Sequence, residues 1–540
     1  MSLVNRVQCD VLVVGGGLGG VAAAMGAACF GLRVVLTEET FWMGGQLTSQ
    51  AVPPDEHPWI EEFGCTALYR RLRNEVRNLY LAQPGIRADL PTHFNPGGGW
   101  VSKITARPDA WRTALENLIG PYVEDKTIQI LYHTVVSGGA QLSNPPKPDP
   151  FIAADVDGDR IRSVSLLHLK SGELTTIQAN WFVDATELGD LLPLTGTEYV
   201  TGAESSTVTG ERHAARDAQP ENQQALTWVF AMNYSPGTVN KIREPEGYVK
   251  WRHFRIEGWP GPILELQDLD PVTNLPRVPP LPLISDSWRC WFKYRQVVNP
   301  DLYSPPKGPA TTIVNWPQND YFLDPIIDVD PQTRWDRLTV AKELSLCLLY
   351  YLQTECPRPD GGLGYPELSL TPEGLGSEDG FALTPYIRES RRIVSKETIL
   401  ESQISGEDNP GKSIAPAVLN SVGVGSYRID LHPSTGGDLY VDLATLPFQI
   451  PLGAMVPVHM KNLIPACKNI GTTHVTNGCY RLHPVEWNIG EVAGYLAAFC
   501  SRKSITPADV FDSPQFTQEF QALIVDQGVE TEWQPEKMTR

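Results

Sequence analysis

Val7-Gln-Cys-Asp-Val11-Leu-Val-Val14-Gly15-Gly-Gly17-Leu-Gly-Gly20 leads into Val21-Ala-Ala-Ala-Met-Gly-Ala-Ala-Cys29 and then Arg33-Val-Val-Leu-Thr-Glu38. Val11 to Val14 is a short apolar run without polar alternation, as expected of a strand buried on both faces of a parallel sheet. Gly15, Gly17 and Gly20 fit G-x-G-x-x-G directly after it. Such glycines serve the tight turn, close backbone approach to a pyrophosphate, and close helix–strand packing. Leu18 and Gly19 fall at the N-terminus of the small-residue helix that follows, whose free N–H groups and dipole attract phosphate. A second strand, Val34 to Leu36, ends at Glu38, placed to accept from a ribose 2′-hydroxyl, with Glu39 beside it. Strand, turn, helix and acid in register predict a dinucleotide site in an α/β fold.

Which dinucleotide depends on Phe41-Trp-Met-Gly44-Gly45-Gln46-Leu47-Thr48. A glycine pair just past the ribose-binding acid resembles the glutathione-reductase class of FAD proteins. Trp181-Phe-Val-Asp184-Ala185-Thr186-Glu187 is similar to the Ala-Thr-Gly strand–turn of that class, with Glu187 where glycine usually stands. Asn462 to Gly471 and Gly490 to Gly494 resemble the strand and helix that close the FAD site. More narrowly, Gly44 to Thr48, Pro385-Tyr-Ile-Arg388-Glu389-Ser-Arg391-Arg392 and His483-Pro-Val-Glu486-Trp-Asn-Ile489-Gly490 resemble the broad FAD-dependent oxidoreductase family. Some members of that family carry a xanthan-lyase label. The resemblance spans the chain, most weakly in its middle third. It implies a Rossmann-like FAD-binding domain of glutathione-reductase type with a β-meander, plus a mixed α+β substrate domain. It also implies FAD contacts from Gly44, Gly45, Gln46, Leu47, Val135, Ala185, Thr186, Gly471, Glu486 and Ile489.

The composition is that of a folded soluble chain: 540 residues, 20% charged, 41% hydrophobic. A formal charge of −19 without a basic patch argues against a nucleic-acid partner and against anionic membranes. Met1 to Arg6 enters the first strand almost at once, and no apolar run reaches transmembrane length, so a cytoplasmic location is expected. Nine scattered cysteines without a C-x-x-C pair read as reduced thiols, neither a disulfide framework nor a metal site. Cys65 stands alone, which argues against dithiol chemistry. The expected partner is a small-molecule substrate, and assembly into a homo-oligomer is compatible with the sequence.

The resemblance and the run of elements divide the chain into residues 1–200 for the first part of the FAD domain, 201–439 for a substrate or cap domain, 440–505 for the returning FAD part, and 506–540 for a polar, partly helical tail. Arg70, Arg71, Arg73 and Arg77 lie on a helix between Cys65 and Leu81 and read as its solvated face. His57 reads as a loop histidine, with a substrate contact or flavin attachment as the sharper alternative. Pro108-Asp109 opens a helix with Trp111, Leu115 and Leu118 on one face. Thr127 to Val136 reads as one strand, and Asp155 to Gln178 as a meander broken at Asp157-Gly-Asp and Lys170-Ser-Gly-Glu. Prolines crowd residues 200–380, a helix is expected from Arg337 to Glu355, and half of the fourteen tryptophans lie between Trp228 and Trp335. These read as core packing, with an aromatic-lined pocket as the alternative. Gly423-x-Gly425 lacks a third glycine, so no second nucleotide fold is expected. The last helix, from Pro484, presents Val485, Ile489, Val492, Ala493 and Leu496 on one face.

Thr472-Thr-His474-Val-Thr-Asn477-Gly-Cys-Tyr480-Arg481-Leu-His483 is dense in polar groups for a loop between strand and helix. Removing a hydride from a carbon bearing OH or NH₂ needs a base, for which His474 is the first candidate and His483 the second. Tyr480 and Arg481 are read as substrate-orienting, Arg being suited to a carboxylate. Arg388, Glu389, Arg391 and Arg392 read as an ion-pair cluster between domains, and Cys479 as an inert thiol. The resulting expectation is an FAD-dependent oxidase or dehydrogenase acting on a small alcohol, amine or polyol. The alternatives are a flavin monooxygenase and a non-redox FAD-binding protein or lyase.

Overall fold

The computed structural model describes residues 5–150, 154–285, 287 and 289–538; Met1 to Val4 and Trp288 therefore lie outside the described residues. Five parallel strands form the sheet that carries the glycine motif, in the order Leu463–Pro465, Trp181–Asp184, Val11–Val14, Val34–Glu38, Ile128–Tyr132. All of Val11–Val14 is buried, which accounts for an apolar run without alternation. The C-terminal Leu463–Pro465 thus extends a sheet begun by the first residues of the chain.

The helix Leu18–Ala28 is buried along its whole length because the helix His483–Lys503 lies against it. Glycines permit the approach: a Cβ at Gly490 would lie 2.0 Å from Gly19 O, and one at Gly494 2.2 Å from Ala23 O. His483–Lys503 is buried from His483 to Cys500 on every side, not along one face. The segment after residue 505 covers it: Val510, Phe520 and Ile524 of the helices Pro507–Asp512 and Pro514–Asp526 join the same core.

A second sheet carries the meander Asp155–Asp157, Arg160–His168 and Leu174–Gln178, with Asn5–Gln8 added parallel to the last. The single strand expected over 127–136 is two strands. His133, at φ +53°, turns the chain, so that Ile128–Tyr132 stays in the parallel sheet while Thr134–Val136 pairs with Arg160–His168. In the middle of the chain a four-stranded antiparallel sheet, Gln296–Val298, Ala310–Val314, Phe230–Tyr234, Leu368–Leu370, shares a core with the helix Pro331–Thr354. That helix begins before Arg337 because the Asp330 carboxylate caps the N–H groups of Gln332 and Thr333, with Pro331 in the first turn. Trp228, Trp251, Trp291 and Trp316 are buried in this core.

On the arginine helix, Ala67–Leu81, Arg71 is exposed as the spacing predicts, but Arg73 and Arg77 are not. Arg73 and Arg77 are buried and clamp Glu61, Arg73 also holding Glu56 at 2.8 Å. Their partners come from the preceding loop, so helical spacing alone could not show them. The polar connector is also helical over His474–Tyr480, capped by the Thr473 side chain on the N–H of Thr476. Among the described residues no helix is long and apolar enough to cross a membrane.

Candidate active site

A cleft runs over the carboxyl ends of the parallel strands, where ligands bind in open α/β sheets. Gly15, Gly17, Glu38, Glu39, Gly45, Val135, Ala185 and Thr186 all line it. Gly15 sits at φ +100°, and a Cβ there would lie 2.3 Å from Ala185 O, so the turn admits only glycine. Gly20 packs on Gly15 O, and Gly19 on Ala466 O, both closer than a Cβ would allow. Leu18 and Gly19 are thereby fixed as the first turn of the helix aimed into the cleft.

Glu38 accepts from Thr40 N (2.8 Å) and Thr40 Oγ1 (2.7 Å) through one oxygen. Burial pushes its carboxyl up to about 8 against those two bonds. Ribose hydroxyls donate to an ionised carboxylate, so dinucleotide binding should tighten as pH rises through about 8. A fluorescence titration of apoprotein with FAD across that pH range checks this, and E38Q should bind about 10-fold more weakly with the pH dependence gone. Glu39 lines the cleft but spends one oxygen on Leu142 N, Ser143 N and Ser143 Oγ, which pins the loop roofing that end.

Other residues implied by the resemblance stand behind the cleft lining. Gly44, at φ +111°, donates its N–H to Gly16 O, and Leu47 is core. Gln46 Nε2 reaches Glu486 Oε2 (2.6 Å) and Arg481 O (3.1 Å), while Glu486 Oε1 accepts from Gly19 N at 3.4 Å. Ile489 packs in the core, and Gly471 lies tight against Ser395 Oγ.

The cleft is also lined by Ser49, Gln50, Asp190 and Thr384, of which Ser49 and Gln50 carried no sequence signal. Thr384 N donates to Ser49 O, and Arg391 Nη1 contacts Asp190, so the segment 384–391 borders the cleft through both contacts. Around this segment Gln50 Oε1, Ser390 Oγ, Thr472 Oγ1, Asn477 Oδ1 and both amide atoms of Gln224 are buried without a hydrogen-bond partner among the described residues. Each such atom costs about 1–3 kcal/mol if nothing satisfies it.

Among the four residues expected to act on substrate, the structure separates one pair from the other. His474 Nδ1 lies 3.0 Å from Glu389 Oε1, and its N–H is held by Glu204 at 2.8 Å. Nε2 makes no hydrogen bond among the described residues. Burial alone would lower the imidazole, but the Glu389 carboxylate outweighs it and holds His474 above its ordinary value. Glu389, buried between His474, Arg392 and Gln224 N, is held down at about 2. The expected arginine cluster is found as ion pairs, Arg388 with Asp320, Arg391 with Asp328 and Arg392 with Glu204, but Glu389 belongs to His474 as well.

Arg481 donates from Nη1 to Tyr386 Oη and from Nη2 to Asp430 O, both at 3.0 Å, leaving Nε without a partner among the described residues. His483 is not a base. Its Nδ1 accepts from Asp55 N and its Nε2 faces Val52 O, and burial beside Arg295 pushes it down to about 3. Tyr480 points away from Arg481: it stacks on Phe448 and donates to Gln449 O, as neighbouring residues of a helix diverge by a large angle. His57 is also structural, bonded to Gly64 O and packed on Trp533. Among the described residues no group of three or more His, Cys, Asp or Glu is arranged to hold a metal ion.

The fold and cleft define a dinucleotide-binding α/β protein. The family model for FAD dependent oxidoreductases matches residues 10–524, and the chain belongs to that family. A curated relative, hydroxyneurosporene desaturase of Rhodobacter capsulatus, is 36% identical over 110 residues, 18% of this chain and only 21% of that protein's length. Among solved structures, the chain is similar to a geranylgeranyl bacteriochlorophyll reductase-like protein of Thermoplasma acidophilum (12% identity, 98% of this chain and 85% of that one, TM-score 0.31). It is likewise similar to E. coli quinol fumarate reductase FrdA (12% identity, 97% and 74% covered, TM-score 0.32). FAD is thus the cofactor, and the residues present fit it. Only glycine suits the turn at Gly15, Glu38 keeps one oxygen outside its Thr40 bonds that would hold a ribose hydroxyl, and Gln50 Oε1 on the cleft lining is buried without a partner among the described residues.

Proposed function

We propose that this oxidoreductase oxidises a small alcohol, amine or polyol, with His474 as the base. Bound FAD supplies the two-electron acceptor that such an oxidation needs. The protein's part is to take the proton released from the substrate's O–H or N–H as the C–H bond gives up its electron pair. The observation that carries this reading is the Glu389–His474 pair. Glu389 fixes the tautomer by accepting from Nδ1–H, which leaves the Nε2 lone pair as the proton acceptor. Gln224, Ser390, Thr472 and Asn477 supply unpartnered groups in the same neighbourhood, able to orient a hydroxyl or amine.

The charge on His474 sets the pH dependence. Only the neutral ring accepts a proton, and Glu389 raises its pKa above the ordinary 6.5. Reductive-half-reaction rates should therefore rise with pH through a value above 6.5 and then level. In Glu389→Gln the Glu204 carboxylate still favours the imidazolium, but burial, the largest influence, and the Arg392 charge oppose it, so the acidic limb should move to lower pH. Stopped-flow reduction at a series of pH values tests this; an unmoved limb in the variant would sink the assignment.

A further inference from the structure

A second cavity, of about 230 Å³, lies beyond Arg481, whose backbone O is held by Gln46 behind the cleft and whose Nη2 donates to Asp430 O on the cavity wall. Trp291, Tyr294, Tyr427 and Tyr440 give it aromatic sides, and Arg295 contributes a charge. The neighbouring cations are matched. Arg277 pairs with Asp268 at 3.0 Å and Arg428 with Asp442, Arg388 pairs with Asp320 at 3.0 Å, and His432 sits between Asp320 and Asp430.

Arg295 is different. Its nearest carboxylate, on Asp55, stands 3.6 Å away, beyond hydrogen-bond reach. Nε and Nη1 of Arg295 are buried without a hydrogen-bond partner among the described residues, and so is the hydroxyl of Tyr440. A guanidinium is always charged, and a buried one without its hydrogen bonds is costly. Filling the cavity with one anion would satisfy it.

We propose that this cavity binds the carboxylate of a small planar organic acid, with Arg295 as its counter-charge and Tyr440 as a second donor. That the bound acid is also the substrate rests on the reading given under Proposed function; the binding itself does not.

The test is calorimetric titration of the FAD-loaded protein with benzoate and with benzamide, which has the same shape without the charge. Benzoate should bind, and benzamide at least about 10-fold more weakly. Arg295→Gln should weaken benzoate binding by about 10- to 100-fold while flavin content stays that of the wild type. Asp55→Asn removes the competing carboxylate and should bind benzoate more tightly than the wild type, which decides the matter even where Arg295→Gln fails to fold. No benzoate binding, equal binding of benzamide, full affinity in Arg295→Gln, or unchanged or weaker binding in Asp55→Asn would each overturn the proposal. Displacement of benzoate by an equal concentration of inorganic phosphate would overturn the carboxylate assignment. Benzoate binding retained in His474→Ala separates this site from the proton-transfer reading, since that variant tests only the latter.

Discussion

Gly15→Val is expected to yield a protein purified without flavin. At φ +100° a side chain costs about 1–2 kcal/mol in backbone strain alone, and β-branching adds to it. The larger effect is steric. The new Cβ would lie 2.3 Å from Ala185 O and 2.8 Å from Thr186 N, so the Val11–Val14 and Trp181–Asp184 strand ends must part where the pyrophosphate turn forms. Gly31 is the control, since it has φ +80° and a Cβ added there would meet nothing within 4 Å, so Gly31→Ala carries the strain without the clash. Flavin absorbance per mole of purified protein distinguishes them: near zero for Gly15→Val and unchanged for Gly31→Ala.

His474→Ala is expected to lower kcat/KM by about 10²- to 10⁴-fold, the range for loss of a positioned general base. FAD content should stay that of the wild type, because His474 is not among the residues that line the cleft. The loss should fall on flavin reduction by substrate, and the pH dependence of that step should vanish with the imidazole. Rapid-reaction measurement of reduction with substrate in excess checks both. A variant that reduces its flavin at the wild-type rate across neutral pH would remove His474 from the mechanism.

The dinucleotide half of the protein was legible because its signals are local. Gly15, Gly17 and Gly20 follow a buried strand within one short stretch, and Gly15 and Gly20 each answer a backbone constraint that only glycine meets. The candidate chemistry was legible only one residue at a time. His474 stood out by residue type, but what gives it a direction is Glu389, 85 positions away in the chain. His483, the second candidate base, and Tyr480, read as substrate-orienting, are engaged by their surroundings instead, two backbone groups in one case and Phe448 with Gln449 in the other. Arg73 misled in the opposite sense, because helical spacing shows a polar face but not the loop carboxylates of Glu56 and Glu61 that bury it. Arg295 carried no motif at all. Its interest arises from hydrogen bonds that the folded chain leaves unmade, and those exist only in three dimensions.

The most direct measurement is anaerobic: mix the flavin-loaded protein with alcohols, amines and polyols, acidic and neutral, and follow the flavin's visible absorbance without any nicotinamide cofactor. A member of these classes is expected to bleach the flavin, faster as pH rises through the titration of His474. Bleaching by NADPH alone, with none of these compounds reducing the flavin, would contradict that expectation and favour a monooxygenase.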